Sequence, residues 1–208
     1  MNGAHDLGGL HGFGPIDQGQ SENFKYSWEE RVFALTLACG MLGQWNLDQS
    51  RFARENMDPA HYLSSSYYEH WLHGLETLLQ EREFLQDQSE KKAVTAITVE
   101  AVPEILAKGG PTVMTAESNP EFQVGDSVRV RNFNPSGHTR APRYIRGHVG
   151  KVAHYHGAHI FPDLHAESGE KVPAHLYSIR FEAGEIWGPE GDSRSAVYVD
   201  VFEPYLES

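Results

Sequence analysis

The sequence predicts an α+β fold, with helices in the first half of the chain and short antiparallel strands in the second. Apolar side chains recur every three or four residues between positions 27 and 79, which is the period of an amphipathic helix. After position 120 the period changes to two, and Gly, Pro and Asp separate the alternating runs. Because the helices precede the strands instead of alternating with them, the two halves are expected to be segregated.

Composition limits the classes of compartment and partner. The 208 residues include 29 acidic and 17 basic side chains, a formal net charge of −12. Such an acidic chain is not expected to bind nucleic acid or an anionic membrane surface. Its one cysteine, Cys39, excludes an internal disulfide and fits a reducing compartment. Since the chain has neither an apolar run of about 18 residues nor a signal-peptide pattern, we expect a cytoplasmic protein.

The first 26 residues are predicted to form an extended arm. Glycines are frequent there and no periodicity is present, so the segment cannot make a compact unit alone. Its apolar side chains are too numerous for a free tail. We therefore expect residues 1–26 to lie across another surface, such as that of a second subunit.

The first helix is predicted to begin at Ser27, which has capping-box spacing to Glu30. Its apolar stripe contains Val32, Leu35 and Cys39, and glycines end it soon afterwards. Because Cys39 lies on this stripe, it is interpreted as a small core residue and not as a nucleophile.

The second helix is predicted to begin after Asn46, which has capping-box spacing to Gln49. It must end before Pro59, because a proline disfavours the helical conformation of the residue that precedes it. Arg51 and Arg54 lie within it. By pattern alone, both are interpreted as surface residues.

The third helix is predicted to open with Ser66 and Glu69. Tyr67 and Tyr68 stand in its first turn, where they either pack in the core or line a pocket. Its amphipathic stripe consists of Trp71, Leu75, Leu78 and Leu79.

A polar, charged stretch at residues 86–93 is predicted to begin a connection that reaches residue 119. Within it, residues 95–108 have a weak helical period that Pro103 interrupts. The strands that follow alternate apolar and polar residues, as in a small antiparallel barrel or sandwich. Their apolar residues are Val128, Val130, Val149, Val152, Tyr177, Ile179, Phe181, Val197, Val199 and Val201.

The most informative stretch is residues 134–150, NPSGHTRAPRYIRGHVG, a basic loop in an acidic chain. It contains Arg140, Arg143 and Arg146. A guanidinium is a planar fork of donors that can bind an oxyanion with two hydrogen bonds. The same residues would also suit a solvated loop that pairs with the acidic surface, and the residues alone leave both interpretations open.

A group of histidines raises the possibility of a metal site. His154, His156 and His159 lie close together in sequence, with His165 and His175 nearby. Imidazoles at this spacing can hold Zn²⁺, but the alternative is a set of exposed loop histidines, and Asp163 is the one further ligand type at hand. The chain contains no CxxC, HExxH, P-loop or GxSxG pattern.

Long segments of the chain resemble the β subunit of the nitrile hydratase family. They are MNGAHDLGGLHGFGPI, SWEERVFAL, NLDQSRFARENMDPAHYL, SSYYEHWLHGLETLL, GHTRAPRYIRGHVGKV, HGAHIFPD, HLYSIRF, EIWGPEG and VYVDVFEPYLE. The resemblance covers nearly the whole chain except residues 86–119. It implies three regions: an arm at 1–26 that embraces the partner, a helical domain with linker at 27–119, and an SH3-like β-barrel at 120–208.

The resemblance also implies a function and a partner. Enzymes of this family hydrate nitriles to amides as αβ heterodimers, often paired into α2β2 heterotetramers. Their metal, low-spin non-haem Fe(III) or non-corrin Co(III), is held by a claw of partly oxidised cysteines in the α subunit. This chain is expected to bind no metal itself, and the type of metal stays open.

The site residues implied by the resemblance are five. Arg51, in an LDxxR pattern, and Arg140, in GHTR, match the arginines that hydrogen-bond the oxidised cysteines of the α subunit. Leu47, Tyr67 and Trp71 match positions of the substrate pocket. The alternatives are a thiocyanate hydrolase-type subunit, a metal-insertion accessory protein and a stand-alone SH3-like binding module.

Overall fold

The computed structural model describes residues 1–16, 18–19, 22–86 and 95–208, which form two compact units. Gly3–Gly110 make up the helical unit, and Pro111–Ser208 with Met1–Asn2 make up the β unit. The mixed composition of helices and antiparallel sheet is confirmed. The predicted start of the linker, residues 86–93, lies outside the described residues except for Gln86.

The helical unit is built around helices α2 and α4. Its core contains Trp45, Ala53, Leu75 and Leu78, with Cys39 and Leu79 packed against them. None of its described helices is long and apolar enough to cross a membrane. Its elements are α1 (Ser27–Gly40), α2 (Leu47–Glu55), α3 (Pro59–Ser64), α4 (Tyr67–Glu81), a 3-10 turn (Val99–Ala101) and α5 (Val102–Lys108).

One of the two predicted capping boxes is confirmed, and a further box precedes α4. Asn46 Oδ1 accepts from the backbone N–H of Gln49 at 2.9 Å, and Gln49 Oε1 accepts from the N–H of Asn46 at 3.0 Å. The same exchange precedes α4, where Glu69 Oε2 accepts from the N–H of Ser66 at 2.6 Å. Capping satisfies N–H groups that have no partner inside the helix.

The start of α1 differs from the prediction although its bounds agree. Ser27 is already helical, so the cap is Tyr26, and Glu29 Oε2 accepts from the N–H of Tyr26 at 3.1 Å. The predicted box between Ser27 and Glu30 is therefore wrong by one residue. The apolar stripe is also narrower than predicted, since Val32 is buried whereas Leu35 is 51% exposed.

Two helices have a proline in their first turn. The first of them, α3, was not predicted, and the start of the second, α5, was predicted wrongly. Helix α3 has Pro59 in its first turn, after Asp58, whose carboxylate accepts from two backbone N–H groups at 3.0 Å. Helix α5 has Pro103 in its first turn, so this proline starts a helix instead of interrupting one. Proline suits the first turn because its missing N–H would have no helical partner there.

The β unit is one antiparallel sheet with the strand order β5-β4-β3-β2-β6, and β1 also pairs with β3. Among the described residues this hydrogen-bonded path does not close, so the predicted barrel is not confirmed. The elements are β1 (Val113–Met114), β2 (Ser127–Val130), β3 (Val149–Ile160), α6 (Pro162–Glu167), β4 (Pro173–Glu182), α7 (Ala183–Trp187), β5 (Ala196–Phe202) and β6 (Leu206–Glu207).

The predicted alternation of the strands is confirmed in the core of the β unit. Tyr177, Ile179 and Phe181 are fully buried on β4, and Val128 and Val130 are buried on β2. At Gly150, strand β3 lies so close to β4 that there is no room for a side chain. A Cβ at position 150 would lie 2.5 Å from Ile179 Cγ2.

Candidate functional site

The basic loop of the β unit presents one arginine between buried residues. His138, Thr139 and Ala141 are each less than one-tenth exposed, whereas the side chain of Arg140 is exposed. Because its neighbours Thr139 and Ala141 are buried, the backbone of Arg140 is held in place while its side chain is exposed. The loop is therefore packed against the β unit on both sides of Arg140 and is not a freely solvated segment.

Arg146 holds this loop from inside the unit. It is 8% exposed, and its guanidinium donates to the carbonyl of Ala141 from Nε at 3.1 Å and from Nη2 at 2.7 Å. Nη1 donates to the carbonyl of Phe133 at 3.0 Å and to Asn2 Oδ1. Arg146 is therefore a structural residue, because its donors bind the loop backbone.

Tyr205 binds the backbone of Arg140 itself. The N–H of Arg140 donates to the Tyr205 hydroxyl at 3.2 Å, and this hydroxyl donates to Asp163 Oδ1. Burial, together with the nearby Asp163 carboxylate, raises the pKa of Tyr205. The hydroxyl is therefore protonated at physiological pH and available for both bonds.

Arg51 belongs to the helical unit, where α2 places it one turn after the Asn46 cap. Its Nη1 donates to Asp48 Oδ1 at 2.9 Å, and its side chain is 39% exposed whereas that of Asp48 is 9% exposed. Asp48 thus holds one end of the guanidinium fork. The pattern-based expectation of a surface arginine agrees with this exposure.

A pocket of about 280 Å³ opens in the helical unit between α1, α2 and α4. Trp45, Leu47 and Trp71 give it apolar walls, and Arg54 is among its polar residues. The structure therefore brings together two of the three predicted substrate-binding residues, Leu47 and Trp71. A cavity of this size and polarity suits a small, mainly apolar molecule.

The third predicted residue, Tyr67, stands beside the pocket and is 64% exposed. Its ring centroid lies 5.9 Å from that of Trp71 and 5.1 Å from that of Tyr68. Of the two alternatives for this tyrosine pair, core packing is wrong for Tyr67. The ring instead extends the aromatic surface that begins with Trp71.

Arg54 is the pocket residue that sequence reasoning placed wrongly on the surface. It is half-buried, and its guanidinium carbon lies 4.7 Å from the Trp71 ring centroid while Nε donates to the Ser50 carbonyl at 3.0 Å. Burial lowers the pKa of Arg54. Gly74 makes room for it, and a glycine inside an amphipathic helix was the available signal of a close approach.

The histidines do not form a metal site in the described part of the chain, where no group of three His, Cys, Asp or Glu residues could hold an ion. Their interpretation as loop residues is also wrong. His154, His156 and His159 lie on β3, while His165 and His175 are buried on α6 and β4.

Comparison with known proteins gives a consistent family. A family model described as nitrile hydratase beta subunit, N-terminal, matches residues 1–121, and its C-terminal counterpart matches residues 111–208. The chain is 38% identical to the cobalt-containing nitrile hydratase subunit beta of Pseudonocardia thermophila, covering 100% of this chain and 96% of the relative. It is 37% identical to the low-molecular weight cobalt-containing subunit beta of Rhodococcus rhodochrous, covering 99% of both.

Among solved structures, the chain is similar to the recombinant apo-enzyme of thiocyanate hydrolase from Thiobacillus thioparus. The identity is 24%, the TM-score is 0.43, and the match covers 55% of this chain and 98% of the other.

Proposed function

The chain belongs to the family of nitrile hydratase β subunits, and on this premise we propose that it pairs with an α subunit to hydrate small nitriles to amides. The metal is assigned to the partner, as Co(III) or Fe(III), because the one cysteine of this chain is unsuited to ligation. Cys39 packs against the helical core, and burial raises the pKa of its thiol. When bound in the partner, the metal supplies Lewis-acid activation of the nitrile.

Arg140 and Arg51 are proposed to hydrogen-bond the oxidised cysteine oxygens of the partner. The observation that carries this role is the exposed Arg140 side chain between buried Thr139 and Ala141. Sulfenate and sulfinate oxygens are anionic acceptors that match a two-pronged guanidinium. Each arginine is restrained within its own unit, Arg51 by Asp48 and Arg140 through its backbone.

Leu47, Tyr67 and Trp71 are proposed to bind the nitrile. Leu47 and Trp71 line the pocket of about 280 Å³, and Tyr67 adds an exposed ring beside it. Apolar walls exclude water from the substrate and orient its hydrocarbon part. The pocket is too small for a large molecule and has too few polar groups to bind a highly polar one.

We further propose the three regions 1–26, 27–119 and 120–208 as partner-embracing arm, helical domain and SH3-like barrel, in an α2β2 assembly. The arm is supported by Leu10, Phe13 and Ile16, which are 50%, 61% and 87% exposed. The barrel is supported by β3, which pairs with β2 near its start and β1 near its end. Two register irregularities on β3 would allow it to bend.

The test is co-expression with the partner α subunit, followed by kinetics with a small nitrile. Arg51→Lys and Arg140→Lys should each lower kcat about 100-fold, because an ammonium is a point charge and cannot replace the fork. Arg143→Lys, an exposed arginine of the same loop, is the matched control and should retain kcat within about twofold.

Two results contradict the proposal. One is a stable chain that binds no metal-bearing partner when both are expressed together. The other is near-normal nitrile turnover in both the Arg51 and the Arg140 variants. Thiocyanate serves as the competing substrate, and its preferential hydrolysis would assign the chain to the related activity instead.

A further inference from the structure

We propose that Tyr205 is a positioning residue for Arg140, whose backbone its hydroxyl fixes so that the guanidinium meets the partner in one orientation. This inference rests on the proposed function of Arg140. It concerns a residue buried in the β unit, and it follows from contacts within that unit alone.

The hydroxyl of Tyr205 joins the Arg140 loop to Asp163. It donates to Asp163 Oδ1, and it accepts from the N–H of Arg140 at 3.2 Å. A phenol has one donor and two acceptor positions. Because an ionised carboxylate only accepts, Asp163 orients the O–H bond toward itself, and the lone pairs of the oxygen face away from Asp163 to accept from the Arg140 N–H.

The ring that carries this hydroxyl is fixed by the core of the unit. Tyr205 is 3% exposed, and its ring stacks on Phe133 with centroids 5.4 Å apart and planes 17° apart. The rings of Phe161 and Phe202 lie 5.4 and 6.2 Å from it. Close packing on several sides holds a side chain in one rotamer, so the oxygen is a fixed point to which the loop attaches.

The loop is thereby held on both sides of Arg140. Tyr205 binds the Arg140 N–H, and Arg146 binds the Ala141 carbonyl with two donors. The backbone at position 140 cannot rotate without breaking one of these bonds. A backbone that is already fixed need not be ordered when the partner binds, which is the advantage of preorganisation.

A second tyrosine of the same core provides a matched control. Tyr177 is fully buried, and its hydroxyl donates to Glu203 and accepts from the N–H of Phe122 at 3.5 Å. Deleting this hydroxyl removes the same chemical group from the same core. Its partners Glu203 and Phe122 lie outside the Arg140 loop, so a general loss of packing or stability would affect both variants.

The experiment compares Tyr205→Phe with Tyr177→Phe in the assembled αβ complex. For Tyr205→Phe, hydrogen exchange of the peptide that carries the Arg140 amide should accelerate about tenfold, because that amide loses its acceptor. kcat for a small nitrile should fall about tenfold while KM stays within about twofold, because the nitrile itself is bound elsewhere. Tyr177→Phe should change neither the exchange of this peptide nor kcat.

A double variant separates positioning from other effects. In the Arg140→Lys background, Tyr205→Phe should lower kcat by less than about twofold further, because the group it positions is already lost. A full tenfold further loss there would overturn the proposal, as would wild-type exchange and kcat in Tyr205→Phe alone.

If Tyr205→Phe does not assemble, exchange is measured on the chain without its partner, because the contacts of Tyr205 lie within the β unit. Faster exchange of the Arg140 peptide than in the wild-type chain supports the proposal, and wild-type exchange overturns it. If the wild-type complex hydrates no nitrile, the proposed function fails, and the exchange of the Arg140 amide still decides whether Tyr205 fixes this backbone.

Discussion

The guanidinium of Arg146 and the carbonyl of Ala141 form a two-donor contact, with Nε at 3.1 Å and Nη2 at 2.7 Å from the oxygen. Arg146→Lys should therefore lower the free energy of unfolding by about 2–4 kcal/mol, because one ammonium cannot reach every carbonyl that the buried fork satisfies. Urea unfolding of the complete chain measures this loss. Arg143→Lys, on the exposed side of the loop, should change the same quantity by less than about 0.5 kcal/mol. Equal effects in both variants would contradict the role of Arg146.

The different roles of these arginines could not have been predicted from their charges. Arg140, Arg143 and Arg146 are spaced by three residues in one glycine- and proline-rich segment, and composition treats them alike. What separates them is a set of long-range contacts, since Arg146 reaches Asn2 and Phe133 while Arg140 is bound through its backbone by Tyr205. The resemblance to the family singled out Arg140 but gave no reason for its position.

Gly150 should be irreplaceable in the β unit. An alanine Cβ there would lie 2.5 Å from Ile179 Cγ2 and 2.9 Å from the Arg180 carbonyl oxygen, both on the neighbouring β4. Because backbone cannot move aside as a flexible side chain can, Gly150→Ala should cost about 3 kcal/mol of unfolding free energy. Gly184→Ala is the matched change, since nothing lies within 4 Å of its Cβ. In urea unfolding it should be neutral or stabilising by about 0.5–1 kcal/mol.

Gly74 on α4 should be coupled to Arg54 on α2. A Cβ at Gly74 would lie 2.5 Å from Arg54 Cγ, so Gly74→Ala displaces the guanidinium that stacks on Trp71. The variant should lose about 1–3 kcal/mol of stability although alanine is the better helix former, and KM for the nitrile should rise because the pocket wall moves.

A double variant tests whether this cost arises from the clash itself. In the Arg54→Ala background the Cβ at Gly74 meets no Cγ, so Gly74→Ala should become neutral or stabilising. The coupling free energy from the two single variants and the double variant should then be about 1 kcal/mol or more. Additive losses would show that Gly74 is required for another reason.

Local signals predicted the helices and strands well where hydrogen bonds are local. Asn46 with Gln49 caps α2 and Ser66 with Glu69 opens α4 as predicted, and the alternation on β4 matches its burial. Local signals could not predict the pocket, because it depends on how α1, α2 and α4 pack. Leu47 and Trp71 were predicted as pocket residues from the family resemblance. The sequence pattern around Arg54 is that of an exposed helical arginine, and only the contact with Gly74 shows that it packs against α4.

His5 should make the stability of the helical unit depend on pH. Its Nδ1 lies 3.2 Å from the Glu55 carbonyl oxygen, and burial lowers the pKa of its imidazole below the ordinary 6.5. The unfolded chain then binds a proton more readily than the folded chain, so the contribution of His5 is complete above about pH 6.5 and is lost as the pH falls through the folded pKa. In urea unfolding from about pH 7.5 to about pH 5, His5→Asn should flatten this decline, because an amide can donate to Glu55 without titrating. His11→Asn, at an exposed position of the same segment, should keep the wild-type slope, and an unchanged slope in His5→Asn would assign the pH dependence to other groups.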